Sequence, residues 1–533
     1  MLRLRVVILI VMMAIATLPA QALLPEVEVN VNPNLELFAV LYILAFNGSD
    51  PFIYAPQEYI QDVLTYFAPY KDHEAVEFIR RVADKSLPAN VREYLIMKFS
   101  DRLVFLNYLP NETELGELEK LADFARKSNF MAFYNAHKNE YVKMSSKLER
   151  ILECASNEYE KLFGRTYSFR AEVSYSLKIH PHRLIRNQTI YYIGEAYYHS
   201  NFSFYERALA MTHLFAWPFV EDLVNKNHEN FENLSYYLGA VRNKLPLPSY
   251  TASSYFKQVF AEAVSEHVAL KCGIPDDYIE MRRLSFSYMM FPLENIFEGI
   301  QELGNGTLYL HIQKITEDMK RWATPKNISR LYERSVPVVG FHFVSRSLYT
   351  GTIIIVYGTQ NPDKSGTEAD KETAYAVKRR FERELKMMYG YSPRIEVKAD
   401  KDLTEDDLKQ NLILIGGPVA NKITAQLNDN LPIKFTFNGS WTIVRNSTAV
   451  GTIKSFRIAS GNITKVYPGL NALKDAYGFM EILKNPWNRN NYILVIAGVD
   501  RYGTKNVSYF PWRQSYAIES DSYIEVGFYF MAE

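Results

Sequence analysis

Three groups of residues have the types and spacing to do chemistry. The first lies at residues 211–225, MTHLFAWPFVEDLVN, where His213 stands one helical turn before Trp217. A zinc hydrolase helix needs two histidines four residues apart facing the metal. It also needs a glutamate after the first, to take a proton from zinc-bound water. Here Leu214 holds the place of the glutamate and Trp217 that of the second histidine. An isobutyl group accepts no proton, and an indole offers no lone pair to a metal. His213 therefore reads as a core histidine on an apolar helix face with Leu209, Trp217 and Val220. The alternative is a rewired zinc site of His213, Glu262 and His267, in which Glu266 is the one carboxylate free to act as base.

The second group is His180 and His182, which would share one face of a strand. Pro181 between them points to an edge or a turn, and so to exposed histidines. His199, after Tyr197 and Tyr198, reads the same way. The third group is a pair of glycine turns after apolar strands, at residues 412–422 and 496–503. Backbone N–H groups at such turns can hold an anion. Neither turn completes a phosphate-loop or dinucleotide fingerprint, so both read as tight turns. A ligand of this part would sit in the crevice beyond the carboxyl ends of the strands. No G-x-S-x-G motif occurs, neither cysteine has a recognisable catalytic partner, and the spacing excludes a zinc finger.

These groups are carried on a chain of 533 residues with 60 basic and 60 acidic side chains. Zero net charge argues against a nucleic-acid or acidic-membrane binder, which needs a basic surface. Arg3 and Arg5, the apolar run from Val6 to Leu18, and Ala20-Gln21-Ala22 after Pro19 form a secretory signal at 1–22, with cleavage expected after Ala22. Its apolar run is short for a membrane span, so a membrane contact would come only through an uncleaved signal segment. The mature chain is expected outside the cytoplasm. Eleven glycosylation sequons agree with that: Asn47, Asn111, Asn187, Asn201, Asn233, Asn305, Asn327, Asn438, Asn446, Asn462 and Asn506. Cys154 and Cys272 either pair in an oxidising compartment or stand as two buried thiols.

The elements that must position these residues divide into an α+β chain of two parts. Residues 28–335 read as mainly helical, with helical spacing at Leu35, Phe38, Ala39, Tyr42 and Ile43. Two strands interrupt it, around Val173–Ile179 and Ile190–Tyr198, before helices at 204–224 and 255–271. Pro218 is expected to kink the first of these. Residues 350–533 read as a smaller, mostly parallel three-layer α/β domain, with short strands added at 433–465. Its continuous apolar strand at 352–357 requires cover on both faces. The helix after it closes at Gly390.

Two resemblances rest on these residues. The histidine segment, together with NPNLELFAV at 32–40 and YFAPYKDH at 66–73, resembles a family of exported archaeal and bacterial proteins with a zincin-like domain, whose motif runs approximately HEFGHSFVNP. His213, Phe215, Phe219, Val220 and Leu223 match it; Leu214 and Trp217 depart from it. The third zinc ligand of that family is a glutamate on a later helix, where Gln258 or Glu262 stands here. The resemblance implies a metallopeptidase-like fold with a degenerate site and no catalytic zinc. The segments 416–422, 485–488 and 492–504 resemble archaeal surface-layer proteins, which implies a cell-envelope protein whose partner is another envelope protein or a glycan. The expectation is a non-catalytic envelope scaffold or binding protein. A rewired zinc peptidase and a carbohydrate-binding surface protein are its rivals, the latter suggested by 38 tyrosines and five tryptophans.

Overall fold

The computed structural model describes residues 27–49, 53–84, 112–177, 182–186, 189–196, 201–242, 244–245, 250–303, 306–460, 477–520 and 522–530. The signal segment, His180, His199, Asn111, Asn187, Asn305 and Asn462 lie outside them. The chain is an α+β protein, mainly helical in its first part and built on a large sheet in its second.

The first part opens with a strand that the sequence reading leaves out. β1 (Val27–Val31) buries Val27, Val29 and Val31 and turns Glu28 and Asn30 outward. Together with β2 (Ser168–Ser174), β3 (His182–Arg186) and β4 (Thr189–Glu195) it forms a sheet ordered β1-β2-β4-β3. Only the β3–β4 pair is antiparallel. His182 thus begins an edge strand, as Pro181 suggests.

The helix Pro33–Phe46 starts where Asn32 caps it, accepting from the Asn34 and Leu35 amides, with Pro33 at the first helical position. Every residue from 35 to 44 is buried, so the helix has no polar face. Glu36 lies in the middle of that run. Ser174 Oγ (2.5 Å), Ser176 Oγ (2.7 Å) and Tyr59 OH (3.1 Å) donate to its carboxylate. These bonds tie the helix to the end of β2. Burial still raises the Glu36 pKa against them.

Cys154 and Cys272 form a disulfide. It joins the helix Lys138–Phe163 to the C-cap of the helix Ala252–Lys271. The bridge spans 118 residues, for which the chain-entropy model gives about 4–5 kcal/mol of stabilisation.

The second part carries β5 (Thr352–Tyr357), β6 (Arg394–Ala399), β7 (Asn411–Ile415), β8 (Ile433–Phe437), β9 (Trp441–Arg445), β10 (Thr452–Ser460), β11 (Tyr477–Lys484), β12 (Tyr492–Gly498), β13 (Tyr516–Ser520) and β14 (Tyr523–Phe530). Eight of them form one sheet, ordered β10-β14-β13-β11-β12-β7-β5-β6; β8 and β9 pair separately as a hairpin. Only β12, β7, β5 and β6 run parallel. The expected mostly parallel domain is therefore half antiparallel, because β11, β13 and β14 supply four antiparallel pairings. β7 and β12 are buried along their whole length, so both sheet faces are covered there. Gly390, with φ +78°, ends the helix Lys364–Tyr389 as expected.

The boundary between the parts is not a clean cut. The helix Gly340–Thr350 places Phe343, Val344 and Leu348 in the core of the large sheet. At the sheet's other end, Ile458, Ala459, Ile524, Val526 and Phe528 pack into the core of the helical part.

Candidate functional site

Two places gather polar side chains that could act. The first is where the histidine motif falls. The helix Asn201–Lys226 runs continuously through Pro218. Phe215, Phe219 and Val220, all fully buried, hold the turns on either side of the proline. This helix packs against Ala252–Lys271, which brings His213 to Glu262: Nδ1 stands 2.8 Å from a carboxylate oxygen. On the other side of the ring, the Trp217 indole N–H donates to Nε2 at 3.3 Å. A neutral imidazole has one N–H and one lone pair. With Nε2 accepting, Nδ1 carries the proton toward Glu262, and no lone pair is left for a metal.

Glu262 is also gripped by an arginine that the sequence reading does not pick out. Arg282, on the helix Asp276–Ser287, donates through Nε to Oε1 and through Nη2 to Oε2 at 3.0 Å. Burial by itself would raise the Glu262 pKa. The Arg282 guanidinium and the His213 ring outweigh burial and hold it at about 2. Arg282 in turn lies over the Phe286 ring, 4.7 Å from its centre. The neighbour expected of a zinc ligand is thus a guanidinium, whose charge opposes a second cation.

The rest of the rewired set is not assembled. His267 comes five residues after Glu262, about 140° around the helix. Its charged neighbours are Lys271 and Glu158, and burial lowers its pKa. Glu266 is fully buried, and its nearest partner is Arg283 Nη1 at 3.8 Å. Burial and the charge of Glu262 raise its pKa well above the usual carboxylate range. No three His, Cys, Asp or Glu side chains among the described residues are grouped to hold a metal ion. His213 lies between Glu262 and the Trp217 indole, where the sequence suggests an apolar setting. The available signal was the Arg282-Arg283 pair, set between the apolar Met281 and Leu284.

The second place is the crevice beyond the carboxyl ends of β5, β7 and β12. The chain leaves β5 for β6 on one side and returns to β7 on the other, so the crevice opens where the strand order reverses. Asn421 fastens the turn at its edge. Its side-chain N–H groups bind the Val356 and Ile415 carbonyls at 3.1 and 3.0 Å, and its oxygen caps the helix Lys422–Leu427. This anchors both strand ends to the turn at 416–420. Gly416 has φ +101°, a conformation side chains rarely adopt. A Cβ there would also stand 2.8 Å from Asp370 Oδ2. At the second turn, a Cβ on Gly498 would meet the Thr504 amide nitrogen at 2.2 Å.

The cavity encloses about 310 Å³ and is lined by Asp363, Asp370, Phe435, Trp441, Arg501 and the glycine turns. Asp363 is engaged by Ser365 and Arg501. Asp500 caps the Gly503 amide at 2.7 Å. Asp370 is 3% exposed, and burial alone raises its pKa to about 7. Among the described residues Asp370 is thus the one carboxyl of the crevice with neither a charge partner nor a hydrogen-bond donor, beside aromatic rings.

Among the expected glycosylation sites, Asn47, Asn201, Asn233, Asn327 and Asn438 are exposed. Asn446 is not available in the folded chain. Its amide is buried and binds the Asp429 and Leu431 carbonyls at 2.9 and 3.1 Å. The Asn506 amide nitrogen is buried as well. No helix among the described residues is long and apolar enough to cross a membrane.

Fold and site together define a helical part and a mixed-sheet α/β part that share an apolar boundary. The second part has a ligand-sized crevice at its strand ends. Residues 189–509 match the S-layer like family, outer domain, and the chain belongs to that family. The match begins in β4 and runs through the helices of His213 and Glu262 and all of the large sheet before β13 and β14, so it spans both parts. It supports the surface-layer resemblance and lends none to the zincin-like one. Over 99 residues the chain is 34% identical to an uncharacterised protein of Methanocaldococcus jannaschii, a stretch that makes up 19% of this chain and 15% of that protein. Family membership associates the chain with the cell surface.

Proposed function

We propose that this chain is an exported, non-catalytic component of a cell-envelope layer, with its helical part a scaffold and its α/β part turned toward an envelope protein or glycan. The observation that carries this reading is the surface-layer match over residues 189–509. The Cys154–Cys272 disulfide suits an oxidising compartment outside the cytoplasm, and the exposed sequons suit a glycosylated surface. The arrangement around Glu262 gives no support to the rewired zinc peptidase, since its carboxylate is spent on Arg282 and His213.

The test is protease shaving of intact cells of the source organism, paired with a peptidase assay on the purified full chain against an unfolded protein substrate. The reading expects the chain to be cleaved from intact cells and to hydrolyse nothing. Protection inside intact cells, or peptidase activity abolished by a chelator, would overturn it.

A further inference from the structure

The crevice at the ends of β5, β7 and β12 has the composition of a recognition site, a property the envelope reading does not require. Its volume of about 310 Å³ lies at the small end of the range for ligand clefts, about 300–1,000 Å³. The β8–β9 hairpin stands over it as a separate two-stranded unit. Asn428 holds the hairpin in place by bonding both the carbonyl and the amide of Phe435, at 3.0 and 2.9 Å. The Phe435 ring packs on Phe479 of the large sheet, 5.4 Å between centres. Beyond it, Trp441 and Phe437 lie 5.2 Å apart, and Phe437 is 64% exposed. Of these rings Phe435 and Trp441 form the aromatic wall of the cavity, and Phe437 continues it outside.

Asp370 lines the same cavity, nearly buried and, among the described residues, without a charged or hydrogen-bonding neighbour to explain its pKa. A buried carboxyl left without donors loses the free energy of its missing hydrogen bonds. A ligand bringing hydroxyl donors would restore them. The charges nearby choose among ligands. Asp363 and Asp500 are acidic, and Arg501, the one cation lining the cavity among the described residues, is already bound to Asp363. A phosphate or other anion would meet two carboxylates with no free cation. A small neutral polyol with one apolar face meets the aromatic wall on that face and the carboxyl on its edge.

We propose that this crevice binds a single uncharged sugar ring, its apolar face against Trp441 and its hydroxyls donating to the Asp370 carboxylate. The Gly416 turn keeps the approach to Asp370 clear, since a side chain there would press on the carboxyl. The proposal rests on the glycan half of the envelope reading and names its ligand class and place; the two fail separately, since a chain shaved from intact cells can still bind no glycoside.

Calorimetric titration of the full chain tests it. The probes are the methyl glycosides of glucose, galactose, mannose and N-acetylglucosamine, with inorganic phosphate and n-butylammonium as rivals. At least one glycoside binds, and Asp370→Asn and Trp441→Ala each weaken it about tenfold or more, the equivalent of about 1.4 kcal/mol. Binding tightens across the titration of Asp370 as pH rises, and this dependence disappears in Asp370→Asn. Denaturant unfolding of each variant confirms that its fold is kept, and Asp370→Asn, nearly equal in size, serves if Trp441→Ala fails to fold. Absence of binding by every glycoside, binding of phosphate or butylammonium in their place, or affinity unchanged in both variants would overturn the proposal.

Discussion

Glu262 and Asp370 are both nearly inaccessible carboxyl groups, in two regions of one chain, and they titrate in opposite directions. Glu262 is held at about 2 by Arg282 and His213; Asp370 is raised to about 7 by burial without a partner. The first is a closed circuit in which both carboxylate oxygens meet a guanidinium or an imidazole within the fold. The second is an open one, completed only from outside. The difference bears on where a ligand could act: the Glu262 carboxylate is already engaged within the fold, and the lone buried acid in the crevice is available. The stability consequences also have opposite signs. Glu262 contributes stability that is present above its unfolded pKa near 4.5 and is lost as pH falls toward 2. Asp370 is protonated in the fold up to about 7 and in the unfolded chain only below about 3.8. Its contribution is therefore favourable at low pH relative to neutral, and is lost as pH rises through 7.

The largest effect is expected at the closed circuit. Arg282→Ala leaves the Glu262 carboxylate buried without its main cation. Breaking one side of a buried pair costs about 3–5 kcal/mol, to be read from the urea midpoint. A loss below about 1 kcal/mol, the level of a surface ion pair, would mean that the cluster is solvated and that the contrast fails. Asp370→Asn should act the other way. At pH 8 it removes a forced ionisation and stabilises the chain by about 2–4 kcal/mol, while at pH 4 it changes little. Equal effects at the two pH values would show that Asp370 has a partner after all. The smallest effect belongs to Trp217→Phe, which keeps an aromatic ring but removes the N–H bonded to His213. About 0.5–1.5 kcal/mol should be lost, with the fold intact by circular dichroism.

Much of this architecture is legible in the residues themselves. Helical spacing marks the helices of His213 and Glu262, and continuous apolar runs mark β5, β7 and β12. The glycine turns and the crevice between them follow from the strand–turn–helix order. Other features are not local. β1 was within reach, since Val27, Val29 and Val31 alternate cleanly, but its pairing with β2 crosses some 140 residues. β11, β13 and β14 turn half of the sheet antiparallel through pairings that no single segment announces. Arg282 could be seen as a basic residue beside apolar neighbours, yet only the packing of two helices shows that it meets Glu262. The burial of Asn446 likewise depends on a loop that folds around its amide. The sequon itself gives no sign of this.

The central claim is that the histidine cluster is a structural ion network and not a metal centre. Elemental analysis of the purified full chain, expressed with zinc in the medium, tests it most directly. The account predicts no stoichiometric zinc. One zinc per chain, released by His213→Ala with the unfolding transition unchanged, would contradict it.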